Sequence, residues 1–196
     1  MTPKTKQTIH NLALSAMFMT MGLVLPFATG QIPQIGNMLL PMHMPVLVCG
    51  LICGGHYGLA VGFITPLLRS ILFGMPVIFP KAIAMAFELA AYGALAGLLY
   101  GCSPWKCILS LYRALLGAMV GGRVVWGCVM TVLMGMTGSS FTMKLFLAEA
   151  FFNAIPGILL QLLLIPALMV ALHRTGMVRF HHHRPCMEKI GQNKQS

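Results

Sequence analysis

Three charged side chains inside one long apolar stretch limit what this chain can fold into. Between Leu39 and Gly101 almost every residue is apolar or small, yet Arg69, Lys81 and Glu88 lie within the stretch. Over all 196 residues, 58% are hydrophobic and 8% are charged, whereas a soluble domain carries about a quarter charged residues. Lipid must therefore solvate the apolar runs, and a charge at that depth is costly unless it faces a protein interior or a polar cavity. The stretch predicts a membrane protein with a polar pocket.

The apolar segments predict an all-α integral membrane fold with six transmembrane helices, since a span needs about 20 apolar residues. The predicted spans cover residues 8–25, 45–55, 58–74, 81–100, a fifth segment ending near 135, and 143–173. The second and third are short and could be one span plus a re-entrant piece. Two helices are favoured, because Pro45 suits a first helical turn and the Gly54–Gly58 cluster suits a sharp reversal. The uncharged Pro26–Met42 stretch is predicted to be either a binding loop or a segment along the membrane surface.

We expect one membrane domain over residues 1–196, and the charge distribution orients it. It comprises a cytoplasmic N-terminus (1–7), the six-helix bundle (8–173) and a basic cytoplasmic tail (174–196). The net charge is +10, but the basic residues collect at the chain ends and in one loop, so nucleic acid is not an expected partner. With both termini cytoplasmic, the basic residues on the inner side are Lys4, Lys6, Lys106, Arg113, Arg174, Arg179, Arg184, Lys189 and Lys194. Only Lys81 and Lys144 lie near outer loops. This excess of basic residues on the inner side agrees with the positive-inside rule and supports an even number of spans.

This orientation places the costly polar groups of four spans in the outer half of the membrane, at about 1.5 Å per helical residue. Two interpretations follow. Arg69 and Arg123 are neutralised by Glu88 and Glu149 in an ion-pair network, or at least one Arg or the Asn contacts a ligand. Both can hold, because a pocket's charges are commonly paired when it is empty. The candidate substrate-binding residues are His43, Arg69, Glu88, Tyr92, Arg123, Trp126, Glu149 and Asn153.

These residue types suit a small polar solute with an anionic group. Arg69 or Arg123 would bind the anion, because a planar guanidinium with five donors matches a carboxylate. Tyr92, one turn after Glu88 on the same helix face, and Asn153 would hydrogen-bond the polar body of the ligand. Trp126, one turn from Arg123, would pack against it.

The sequence gives no indication of catalysis, a metal or a cofactor. Six cysteines contain no C-x-x-C pair, which favours small buried hydrophobic residues over a metal or disulfide framework. The run His181–His183 is expected to be a solvated part of the tail. No H-E-x-x-H motif or nucleophile–base pair occurs, so an enzyme is not expected. A self-sufficient secondary transporter of a small organic solute is the alternative, although the inverted repeats usual in such folds are not visible.

Several stretches resemble a known family. LLPMHMPVLVCGLICGGHYGLAVGFITPLLRSILFGMP and FPKAIAMAFELAAYGALAGLLYG, continued by GGRVVWG and FFNAIPGILLQLLLIP, are similar to the substrate-binding S components of energy-coupling factor (ECF) vitamin transporters of Firmicutes. The resemblance implies a multi-pass cell-membrane protein that binds a vitamin at its outer face without an ATPase of its own. Its implied partners are a membrane coupling subunit (T component) and two ABC-type ATPases.

Two finer expectations come with this resemblance. The first helix of the family presents an A-x-x-x-A surface to the coupling subunit, and Ala16-x-x-x-Thr20 is the nearest match here. Paired Arg and Glu with Asn and Tyr make pantothenate the first expected substrate. Riboflavin is the main rival, although its S components typically carry more aromatic lining; a pyrimidine thiamine precursor and folate remain open.

Overall fold

The predicted all-α membrane fold is confirmed. The computed structural model describes residues 3–28, 42–103, 108–136 and 155–174, and no β-strand occurs in these ranges. Their six helices are α1 (Pro3–Ala28), α2 (His43–Cys53), α3 (Gly55–Phe73), α4 (Ile83–Cys102), α5 (Ile108–Met136) and α6 (Ile155–Arg174). Four segments are long and apolar enough to span a bilayer: α1, α3, α5, and α4 together with the turn before it. The other two, α2 and α6, are shorter apolar helices.

The prediction that α2 and α3 are separate helices is also confirmed. Only Gly54 separates them, at φ 102°, a backbone conformation that favours glycine. Gly74, at φ 68°, ends α3, and its N–H bonds the carbonyl of Ser70 at 2.9 Å. One wide turn, Ile78–Ala82, then leads into α4, where the Ala82 N–H bonds the carbonyl of Val77 at 3.0 Å.

Backbone-to-backbone contact joins α4 to α2 and α3. A Cβ atom on Gly93 would overlap the backbone of Gly58, and one on Gly50 would overlap the carbonyl of Gly93. The same holds for Gly62 against Leu89. Small residues permit such close approach between membrane helices, where dispersion contacts replace the hydrophobic effect as the source of stability. These contacts fix α4 beside the two preceding helices.

Helix α1 is the least buried of the four long spans. Its inner face places Ser15, Phe18 and Gly22 against α2 and α3, at helical spacing. Its outer face leaves Ala16 and Thr20 exposed, together with large apolar side chains. An apolar surface of this extent is typical of a protein solvated by lipid.

Candidate functional site

Four polar side chains from three helices meet in the interior, and we call them the Glu88 cluster. His43 is the first residue of α2, Glu88 and Tyr92 lie one turn apart on α4, and Arg123 lies in the middle of α5. All four are buried, with exposed fractions of 1% for His43, 2% for Glu88, 2% for Tyr92 and 6% for Arg123. The glycine contacts hold α4 against α2, which brings His43 to the same level as Glu88.

The cluster is centred on one oxygen atom, Oε1 of Glu88. Nη1 of Arg123 lies 3.1 Å from it, and the Tyr92 hydroxyl donates a hydrogen bond to it at 3.1 Å. Nε2 of His43 lies 3.7 Å away from the same atom, and the His43 ring meets the Tyr92 ring edge-on with 5.2 Å between centroids. The predicted ion pairing of Arg123 thus has Glu88 as its partner.

The cluster leaves several buried donors and acceptors unused. Nε and Nη2 of Arg123 and both ring nitrogens of His43 have no hydrogen-bond partner within the described residues. Buried polar groups in proteins are nearly always paired, so each exception needs an explanation. A guanidinium with an open edge beside an imidazole is chemically equipped to receive a polar ligand group.

Arg69 has a different environment. Its Nε donates to the carbonyl of Met75 at 3.1 Å, and its Nη1 donates to the carbonyl of Leu23 at 3.1 Å. The guanidinium also lies over the Phe27 ring, 5.5 Å from the centroid. Arg69 therefore joins the C-terminal end of α1 to the segment after α3, whereas Arg123 joins α5 to α4.

Trp126 is buried one turn beyond Arg123 on α5. It packs with Ala84 and Met130 in a small apolar cluster separate from the main core. Ala84 precedes Glu88 by one turn, so this cluster lies along the same α4–α5 interface as the Glu88 cluster.

A model of the family described as "ECF transporter, substrate-specific component" matches residues 10–178. The chain belongs to this family. Comparison with curated proteins and with solved structures gave no match. Membership confirms the resemblance seen in the sequence: the protein is a multi-pass cell-membrane component of a transporter. It implies a small-molecule substrate and, in general, a coupling subunit and ATPases as partners, and it favours a binding role over an enzymatic one.

In this S component, the exposed positions of Ala16 and Thr20 leave the predicted coupling surface of α1 open to another helix. Two predicted pocket residues, Glu149 and Asn153, lie outside the described residues, as does the tail after residue 174. They stay predictions. The other buried candidates form the Glu88 cluster or lie beside it, apart from Arg69.

The S component also buries polar residues that the sequence analysis did not select. Ser15 bonds the carbonyl of Asn11 at 2.7 Å and accepts a contact from Sγ of Cys49 at 3.7 Å. Thr65 bonds the carbonyl of Val61 at 2.6 Å. Such bonds to the preceding helical turn satisfy a hydroxyl without a ligand. The signal for these residues was a polar position on an otherwise buried helix face, and they support structure rather than binding.

Proposed function

We propose that this S component captures a vitamin or related micronutrient in the Glu88 cluster, with pantothenate as the first candidate and riboflavin as the second. The observation that carries the proposal is the set of buried nitrogens on His43 and Arg123 that have no hydrogen-bond partner among the described residues. Leaving buried polar atoms unpaired costs about 1–3 kcal/mol each, and more for charged groups. A ligand that supplies their partners recovers that free energy as binding affinity.

Pantothenate suits this arrangement better than riboflavin does. It offers one carboxylate for Arg123, and a hydroxyl or an amide group for His43. Riboflavin would favour extensive stacking, and within the described part of the chain the six-carbon aromatic rings at the cluster and its flank are those of Tyr92 and Trp126. Glu149 and Asn153 are proposed from the sequence as further ligand contacts.

We also propose that import requires a T component and two ABC-type ATPases. The open strip of Ala16 and Thr20 on α1 supports this, because small exposed residues allow close approach of a partner helix in lipid. ATP hydrolysis would then take place on the separate ATPase subunits.

The test is ligand binding by the purified full chain in detergent. Pantothenate, riboflavin, thiamine, its pyrimidine precursor, folate, biotin, niacin and cobalamin are screened by thermal shift, and each hit is titrated by calorimetry. A ligand in excess of its dissociation constant raises the melting temperature by mass action. We expect one vitamin to bind tightly, and Arg123→Ala to weaken it about a hundredfold, since a broken buried charge contact costs about 2–5 kcal/mol.

Reconstitution tests the transport step. Uptake into proteoliposomes should need the T component, the ATPases and ATP. Uptake by the S component alone, driven by a proton or sodium gradient, would contradict the proposal and favour a secondary transporter. A folded protein that binds none of the vitamins would contradict the proposed substrate class.

A further inference from the structure

We propose that the substrate carries a carboxylate, that the Nε–Nη2 edge of Arg123 is its receptor, and that His43 hydrogen-bonds a second polar group beside it. This inference rests on the proposed function, because it concerns the same site. Of the two buried arginines, Arg69 and Arg123, it assigns the anion to Arg123 on the basis of individual donor atoms.

Arg123 divides its donor atoms between Glu88 and an edge that Glu88 does not use. Nη1 faces Oε1 of Glu88 at 3.1 Å, while Nε and Nη2 have no partner within the described residues. In a planar guanidinium, Nε–H and one Nη2–H point in parallel from one edge. Two parallel donors match the two oxygens of a carboxylate, which is the bidentate geometry that arginine favours.

Glu88 and Tyr92 act as positioning residues for that edge. The Tyr92 hydroxyl donates to the same Oε1 atom that accepts from Arg123, so the carboxylate of Glu88 is fixed from two helices. A fixed Glu88 orients the guanidinium and directs its open edge away from α4. The edge is thus arranged before any ligand arrives, which lowers the cost of binding.

The charge of the cluster favours a monoanion. Glu88 already neutralises Arg123, so an arriving anion gains hydrogen bonds but little net attraction. A phosphate dianion would bring twice the charge into a site that is more than nine-tenths buried, and desolvating a charge in such a site is costly. A carboxylate needs the same two donors and carries half that charge.

His43 supplies the second contact. An imidazole ring has two nitrogens that form hydrogen bonds, and both nitrogens of His43 are buried without a hydrogen-bond partner in the described part of the chain. Nε2 lies 3.7 Å from the oxygen that Arg123 contacts, so the ring is adjacent to the carboxylate receptor. A hydroxyl or amide close to the carboxylate of the ligand would match it.

Arg69 does not meet the same conditions. It donates from Nε and from Nη1 to backbone carbonyls, which uses one of the two atoms that form the bidentate edge. Its remaining donors cannot offer the side-on Nε–Nη2 pair. Of the two membrane arginines, Arg123 alone keeps this edge unpaired within the described residues.

The experiment uses pairs of vitamins that differ at the carboxyl group: pantothenate and panthenol, biotin and biotinamide, nicotinate and nicotinamide. Thermal shift and calorimetry are run on the full-length protein, with riboflavin and thiamine as ligands that lack a carboxylate. We expect one acid to bind and its neutral partner to bind at least about a hundredfold more weakly, because an amide or alcohol offers the edge one acceptor oxygen instead of two and carries no charge.

Two variants locate the effect. Arg123→Lys keeps the charge that Glu88 needs but removes the bidentate edge, so it should weaken the acid at least about tenfold and leave the neutral partner unchanged. Arg113→Lys is the matched control, because Arg113 is exposed on the same helix outside the cluster. It should leave both affinities unchanged. The vitamin pairs themselves need no variant, so a misfolded Arg123→Lys protein would not prevent the test.

The opposing outcomes separate the two proposals. Equal binding of an acid and its neutral partner, or tight binding of riboflavin or thiamine alone, overturns the carboxylate assignment and leaves the vitamin-capture function intact. Failure of every acid to bind the folded protein also overturns the assignment. In that case, co-purification with a T component and ATPases shows whether the proposed function survives, and failure to associate with them overturns it too.

Discussion

Two adjacent faces of α4 pack against their neighbours in different ways. One face carries Gly93 and Gly97, whose backbones meet those of α3 and α2 with no room for a Cβ atom. The other face, offset by one residue, carries Glu88 and Tyr92 against α5 and the start of α2. The first face is closely packed, while the second has buried nitrogens without hydrogen-bond partners among the described residues.

The two faces differ in how much they contribute to stability. Close helix contact gains dispersion energy and needs no ligand. A buried ion pair adds little net stability, because its desolvation cost offsets its Coulomb attraction. Net stabilisation therefore does not account for the Glu88 cluster, which is consistent with the proposed binding role.

The largest expected effect comes from removing one charge of the cluster. Glu88→Ala leaves Arg123 buried without its counter-charge, which should lower the free energy of unfolding by about 3–5 kcal/mol. Thermal and denaturant unfolding in detergent measure this change. The double variant Glu88→Met with Arg123→Met should recover most of the stability while losing binding of the ligand found for wild type. A double variant as unstable as Glu88→Ala would show that the ion pair itself stabilises the fold.

The second-largest effect is expected on the face of α4 that carries Gly93 and Gly97. Gly93→Val places a branched side chain against the backbone of Gly58, which cannot rotate away as a side chain would. We expect a loss of about 3 kcal/mol, at the upper end for overpacked cores, measured as a lower melting temperature. Gly101→Val is the matched control on the same helix, because a Cβ there meets nothing within 4 Å. Equal melting temperatures for the two variants would refute the proposed role of close packing.

Arg69 lies on α3, outside both faces of α4, and tests whether a buried arginine away from the Glu88 cluster affects binding. Arg69→Met removes two hydrogen bonds from a charged donor to the carbonyls of Leu23 and Met75. The expected loss of stability is about 2 kcal/mol, with ligand affinity changed less than about threefold, as for a residue outside the binding site. Calorimetry on the variant measures the affinity. A loss of binding as large as that in Arg123→Ala would extend the site to Arg69.

The smallest effect is expected at Tyr92. Tyr92→Phe removes one hydrogen bond to Glu88 and keeps the ring that packs edge-on against His43. Stability should fall by about 1 kcal/mol, and the affinity should fall several-fold as Glu88 loses one of its two partners. Unfolding and titration of the same sample measure both. Unchanged affinity would show that Arg123 alone is enough to position Glu88.

Sequence reasoning found the members of the Glu88 cluster by spacing and depth. The i, i+4 relation of Glu88 and Tyr92 follows from helical periodicity, and their hydrogen bond confirms it. Depth alone placed Arg69 and Arg123 in the same zone, but depth does not say which neighbour a side chain faces. Arg69 faces the end of α1 because α3 packs against α1 as well as α4.

The sequence predicts part of the close packing at the glycines. Gly58-x-x-x-Gly62 and Gly93-x-x-x-Gly97 are small-residue repeats that favour close helix contact. Ala16 and Thr20 have the same spacing on α1, whereas no contact was predicted for these glycines. Which helices pair through them depends on the packing of the whole bundle, and the unpaired nitrogens of Arg123 depend on atomic geometry that no local pattern encodes.

Helix α2 connects the Glu88 cluster to α1. This helix has 11 residues, a rigid rod about 16 Å long. One end is His43, beside the carboxylate of Glu88, while Cys49, further along, touches Ser15 on the inner face of α1. The opposite face of α1 is the strip open to a partner. A single rigid helix therefore spans the distance from the Glu88 cluster to the helix that carries Ala16 and Thr20.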